Sequence, residues 1–149
     1  MRFNEAGKIR KLQREAQKAV EAALTDMMVI AQNHFTENFR KQGFDDRAVE
    51  KWQPRKRTER SRAGQRGILI GKGTGVLRRS IAKRKTSKYT GLIFINGNAN
   101  KYAKVHNDGL RSGRGKGFKM PKRQFIGDSY NMFQKIDRKV KQRLERVFR

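Results

Sequence analysis

The chain contains no cysteine. That removes disulfides, thiolate catalysis and cysteine-based zinc sites together. Histidine and proline occur twice each. Acids are scarce, with 13 Asp and Glu against 38 Lys and Arg. No apolar run approaches the ~20 residues of a membrane-spanning helix; the longest such stretch is broken by Asp26 and by Gln32 and Asn33. The N-terminal segment is basic but lacks the apolar centre of a secretory signal. These absences fit an intracellular chain with no membrane partner. The length, 149 residues, suits a single domain, and the 35% hydrophobic content points to a modest core.

Positive charge dominates what is there. The formal net charge is +25, a field that attracts polyanions and acidic surfaces. It is unevenly spread. Lys51 to Lys88 holds 14 Lys or Arg and one acid, Glu59, whereas Asn4 to Gln42 holds 7 basic and 5 acidic residues.

Hydrophobic periodicity predicts an α+β fold: a long N-terminal helix, a small mainly antiparallel sheet with extended loops, and a C-terminal helix packed on one face. Ile9, Leu12, Ala16, Ala19, Ala23, Met27, Ile30, His34 and Phe35 recur at helical steps. Asn4 is a plausible N-cap and Gly43 a plausible stop. A helix of that extent is about 58 Å long at ~1.5 Å per residue, so part of it should project or kink. Residues 44–67 read as a basic surface loop anchored by Trp52. Strands are expected at Ile68–Ile70, at about Val76–Lys85 and at about Tyr89–Asn96, with Thr86 to Lys88 as the hairpin connection. The run Leu92 to Ile95 suggests a strand covered on both faces. Tyr102, Ala103, Val105 and His106 fit one helical turn or a strand end. Residues 111–119 compose a flexible arm, after which Phe125 and Ile126 re-enter the body. Asp128 or Ser129 caps the last helix, with Met132, Phe133, Ile136, Val140, Leu144, Val147 and Phe148 as its stripe. The domain thus divides into a helix (1–43), a basic loop (44–67), a sheet with its arm (68–127) and a second helix (128–149).

Signs of chemistry are few. In GILIGKGTG, three residues separate Gly67 from Gly71 where a phosphate loop needs four between its glycines, and Gly73 follows Lys72 where that loop needs Ser or Thr. Gly71, Gly73 and Gly75 instead suit a tight turn. His34 lies on an apolar stripe and reads as a packed or interface residue. His106 has Asp108 and Tyr102 near it in sequence, too few ligands for a metal. Ser80, His106 and Asp108 could be written as a triad, but no nucleophile elbow surrounds Ser80. We therefore expect no enzyme, cofactor, metal or small-molecule substrate. Non-specific nucleic-acid binding is the rival reading, because basic side chains release counterions from phosphates. No helix-turn-helix, zinc-finger or RNP pattern accompanies the charge.

Four patches, in order, carry a resemblance. They are FRKQGFDD…KWQPRKRTERSR with Trp52 and Pro54, LIGKGTGVLRRSI with Thr74, Gly75, Leu77, Arg78, Ser80 and Ile81, YAKVHNDG with Tyr102, Ala103, His106 and Gly109, and MPKRQFIGDS with Pro121, Arg123, Phe125 and Gly127. Together they resemble the phage virion-morphogenesis family, which includes tail-completion proteins of contractile-tailed phages and of Mu-like prophages. The resemblance implies a prophage-type assembly protein at the tail end or head–tail junction. It would work in a homo-oligomeric ring, in the host bacterial cytoplasm during assembly and then in the virion. Its partners would be tail or head–tail connector proteins, with non-specific DNA contact as a further expectation. The candidate contacts are Arg55, Lys56, Arg57, Arg60, Arg62 and Arg66 in the basic loop, and Arg111, Arg114, Lys116 and Lys119 in the arm.

Overall fold

The computed structural model describes residues 3–54, 67–70 and 74–148. Helix α1 spans Phe3–Lys41 and packs against the C-terminal helix, α4, Tyr130–Glu145. Between them lie a hairpin of β1 (Gly43–Asp45) and β2 (Val49–Lys51), a short helix α2 (Val76–Arg79), and a hairpin of β3 (Ile81–Lys85) and β4 (Gly91–Ile95). A 3-10 turn, Gly97–Ala99, leads into α3, Asn100–Asp108. A third hairpin follows, β5 (Arg111–Ser112) with β6 (Phe118–Lys119). The fold is α+β, as the periodicity predicts. Its β structure is three separate two-stranded antiparallel ladders.

The α1 stripe is shifted from the expected one. Ala19, Ala23, Met28, His34, Phe35 and Phe39 are buried, while Met27 is exposed. Met28 takes the inward place because Gly91 offers no side chain; a Cβ there would collide with the Met28 sulfur. The helix ends where Gln42 adopts a left-handed φ of 52°. Gly43 then pairs with Lys51, so close to the β2 backbone that a Cβ would strike the Glu50 carbonyl.

Several expected elements take other forms. Ile68–Ile70 is a turn, with Leu69 at φ 60°. Residues 76–79 are helical because Gly75, left-handed at φ 58°, starts a turn in which the Ser80 amide donates to the Val76 carbonyl at 2.9 Å. The strand begins only at Ile81. Leu92 is exposed, so β4 is covered on one face. The expected loop 44–67 begins as the β1–β2 hairpin, and the arm 111–119 forms a short hairpin. Phe133 and Phe148 stay exposed off the α4 stripe, while Met132 is buried.

The core gathers Phe35, Phe39, Trp52, Leu77, Ile81, Ala99, Ala103, Phe125 and Met132. Phe39 sits at its centre, 5.5 Å from the Trp52 ring and 5.1 Å from the Phe125 ring.

Candidate functional site

The described residues of the four sequence patches converge, and many of them hold the molecule together. The Trp52 indole donates to the Gln124 carbonyl at 2.7 Å. The Arg123 guanidinium donates to the Gln53 carbonyl at 3.1 Å, and its amide to the His106 carbonyl at 2.8 Å. Leu77, Ile81, Ala103 and Phe125 are buried; the small Ala103 lets α3 approach the core. Gly109 ends α3 in a left-handed conformation, φ 70°, with Lys122 so near that a Cβ would lie 3.0 Å from its backbone. Gly127 lies beside the Phe44 ring, Pro121 is half-buried, and Pro54 and Thr74 are exposed. Buried charge and main-chain groups are costly unless paired, so these bonds fix how the patches meet.

Two asparagines that the sequence did not single out complete this framework. Asn38, fully buried, donates to the Phe125 carbonyl and accepts from the Asp45 amide, each at 3.1 Å. The Asn107 side-chain oxygen accepts from the Phe125 and Ile126 amides, both at 3.0 Å. The available signal for Asn38 was its position four residues after His34 on the inward side of α1.

The Asp45 corner joins three elements. Its carboxylate pairs with Lys41 and accepts from Asn131 at 2.8 Å. Its carbonyl accepts from the Ser129 hydroxyl at 2.7 Å. Ser129 also caps α4 by accepting from the Met132 amide at 3.2 Å. His34 lies against the corner, edge-on to Phe35 and Phe44, with no hydrogen-bond partner at Nε2. Burial lowers its pKa below the ordinary 6.5; the Lys135 and Lys41 charges add to this against the pull of Asp45. This is the packed histidine the stripe implied.

Ser80 and Asp108, which could be written into a triad, each have a local partner. The Ser80 hydroxyl donates to the Leu77 carbonyl at 2.7 Å, closing its own helical turn. Asp108 accepts from Asn107 at 2.8 Å. Tyr102 and His106 share a face of α3, their rings 6.1 Å apart and nearly perpendicular. They line a largely apolar cleft of about 480 Å³ together with Leu69, Ile70, Leu77 and Met120. Among the described residues no three His, Asp or Glu gather as metal ligands, and no helix is long and apolar enough to cross a membrane.

The arm lies apart from this framework. The Met120 amide donates to the Leu110 carbonyl at 3.0 Å, closing its neck. Arg111, Arg114, Lys116 and Lys119 are exposed and make no ion pair among the described residues. The Arg111 guanidinium holds the turn by donating to the Lys116 carbonyl at 2.7 Å. Gly113, Gly115 and Gly117 all have positive φ, and Phe118 is 60% exposed between the cations. Arg78 is half-buried beside Gly75. Arg55, Lys56, Arg57, Arg60, Arg62 and Arg66 lie outside the described residues, as do Gly71, Lys72 and Gly73.

No curated protein and no solved structure matches the chain. The profile of the phage virion morphogenesis family matches residues 8–145, nearly the whole length. The chain belongs to the phage virion morphogenesis family, and its role is in the assembly of phage particles.

Proposed function

We propose that the chain is a non-enzymatic structural subunit of a homo-oligomeric ring that completes the tail or joins it to the head. One observation carries this reading. The residues of the family patches are used for framework, in bonds such as Trp52 to Gln124 and Arg123 to Gln53, while the unpaired cations stand outward on the arm. A subunit built this way presents a rigid body and charged extensions. The arm's Arg111, Arg114, Lys116 and Lys119 would meet acidic surfaces of tail or connector proteins, and the basic loop Arg55 to Arg66 would supply further contacts. The protein would act in the host cytoplasm and remain in or on the virion.

The experiment is removal of residues 111–119 with a short glycine bridge between Leu110 and Met120. Because the neck is already closed by a hydrogen bond, the body should unfold at the same denaturant concentration as the parent. Particles should fail to complete. Normal particle yield would refute the reading.

The exposed Phe118 among four cations favours one second reading, non-specific contact with nucleic acid, since bases stack on exposed aromatics beside a basic groove. Binding of that kind weakens steeply with salt, by a slope near −0.9 per phosphate neutralised on duplex DNA. Loss of all four arm cations should flatten that slope by about 3 to 4.

A further inference from the structure

Helix α1 runs past the body of the molecule. Residues 5–15 are all exposed, Ala16 is half-buried, and Ala19 is the first buried side chain. The first side-chain hydrogen bond to another element is from Gln17 to the Tyr89 hydroxyl. The uncovered stretch 5–16 is about 18 Å long at ~1.5 Å per residue. A lone helix of that length is marginal in water and gains by being covered.

The stretch has two sides. Ile9, 57% exposed, Leu12, 42% exposed, and Ala16 follow at steps of three and four, continuing the line of Ala19 and Ala23. At about 100° per residue, Arg10, Arg14 and Lys18 fall on the far side, Glu5 falls on the apolar line one turn before Ile9, and Lys8 and Glu15 flank it. Of the two acids of the segment, Glu5 therefore heads the apolar line and Glu15 sits beside it. Lys11 lies 3.9 Å from Glu15, with both side chains largely in solvent, a weak pairing that can be exchanged.

The β3–β4 hairpin carries a surface that matches. Ile81, Lys83, Ile93 and Ile95 share one face, by cross-strand register, and it meets α1: Gln32 donates to the Ile81 carbonyl and accepts from Lys83. Ala82, Arg84, Leu92 and Phe94 share the other. Leu92 is 46% exposed and Arg84 rests over the Phe94 ring at 5.6 Å. A depression of about 280 Å³ lies at the Ala82 end, lined by Val76 and Arg79. The face is roughly 17 Å long and 10 Å wide, from the usual strand rise and spacing.

We propose that residues 5–16 of α1 in one copy lie across the outer face of the β3–β4 hairpin of a second copy, with Ile9, Leu12 and Ala16 on Ala82, Leu92 and Phe94. The proposal rests on the ring reading above and names the contact that builds the ring. A second copy fits this face for three reasons. The apolar line of the helix, about 10 Å from Ile9 to Ala16, fits within the hairpin. Glu5 and Glu15 come to Arg79 and Arg84 and outnumber Lys8, the one cation beside the stripe, while Arg10, Arg14 and Lys18 point away, so a chain of charge +25 meets itself here with more acid than base on the helix side. Each copy also offers one helix and one face at different places, which makes the contact heterologous and repeatable around a ring. A face this small falls short of the roughly 1,200 Å² of a standard interface. Single contacts are then weak, and closure of the ring holds them.

The test uses the absence of cysteine. Leu12→Cys and Leu92→Cys are placed together in the full chain, which is assembled into particles and mildly oxidised. A ladder of disulfide-linked multimers is expected on a non-reducing gel, and either substitution alone should give no ladder. Particles that contain the doubly substituted protein yet give only monomer overturn the contact and leave the ring reading standing. Particles that assemble normally without the protein overturn both. A second measurement avoids any assembly defect of that variant. In sedimentation at high protein concentration and about 0.3 M salt, which screens the net charge, Leu12→Glu and Leu92→Glu should each abolish self-association. An equimolar mixture should form dimers and nothing larger, since one intact helix and one intact face remain. Unchanged association in either variant overturns the proposal.

Discussion

Asn38 on α1 donates to the carbonyl of Phe125 at 3.1 Å, joining residues 87 positions apart where each is at most 1% exposed. With its oxygen on the Asp45 amide, this one side chain ties the long helix to the first hairpin and to the strand-free segment before α4. Asn38→Leu would leave a buried donor and a buried acceptor without partners. The expected loss is about 2–6 kcal/mol, from one to three per orphaned group. Phe125→Ala should cost about 3–5 kcal/mol by the cavity it leaves. Urea unfolding reads both as a lower midpoint at unchanged slope.

Gly109 and Gly97 both have positive φ, yet they differ in surroundings. A Cβ at Gly97 meets nothing within 4 Å, whereas at Gly109 it lies 3.0 Å from Lys122. Gly97→Ala should cost about 1–2 kcal/mol, the left-handed penalty alone. Gly109→Ala should cost more, by roughly 1 kcal/mol for displacing the Lys122 backbone. Equal costs would show that the close approach carries no penalty.

Acid should destabilise the fold in two steps. Unfolded His34 takes up a proton near its ordinary 6.5, while folded His34 does so at lower pH. The unfolded chain thus binds more protons, and stability falls as pH drops below about 6.5, by at most about 1.4 kcal/mol per pH unit for one site. Burial raises the Asp45 pKa, but hydrogen bonds from Lys41 and Asn131 and the charges of Lys41 and His34 outweigh it, leaving the group below 3.8. Its contribution is present above that value and lost as pH falls through the lower native one. His34→Gln should flatten the unfolding midpoint between pH 7 and 5 and leave the steeper acid limb.

Arg143 donates twice to one Asp26 oxygen, at 2.8 and 2.5 Å, linking α4 to α1. The side chains are 34% and 23% exposed, so water screens the pair. A double-mutant cycle with alanine at both positions should give a coupling under about 1 kcal/mol. The coupling should shrink further in high salt.

The helices were legible because their signals are local and repeat. The 3.6-residue stripe locates α1 and α4, and Ser129 caps α4 through its own hydroxyl. Trp52 and Phe125 were legible as anchors because large apolar residues in polar surroundings have few other roles. What the sequence hid depends on partners far along the chain. Met28 replaces Met27 only because Gly91 arrives opposite it. Asn38 looks like any polar residue of a helix until Asp45 and Phe125 supply its bonds. The segment Val76 to Arg79 has strand-like neighbours, and the left-handed Gly75 turns it into a helix. The arm read as shapeless because three glycines usually mean freedom, whereas here positive φ at each is what a two-residue ladder needs to reverse so tightly.

The closed neck between Leu110 and Met120 has an evolutionary consequence. Segments inserted above such a neck change the closure entropy slowly, by about 0.6 kcal/mol for each doubling of length. Lineages could therefore lengthen, shorten or recharge this outgrowth while inheriting the body unaltered. Divergence among relatives should concentrate there, with each version tuned to the neighbour its own particle supplies.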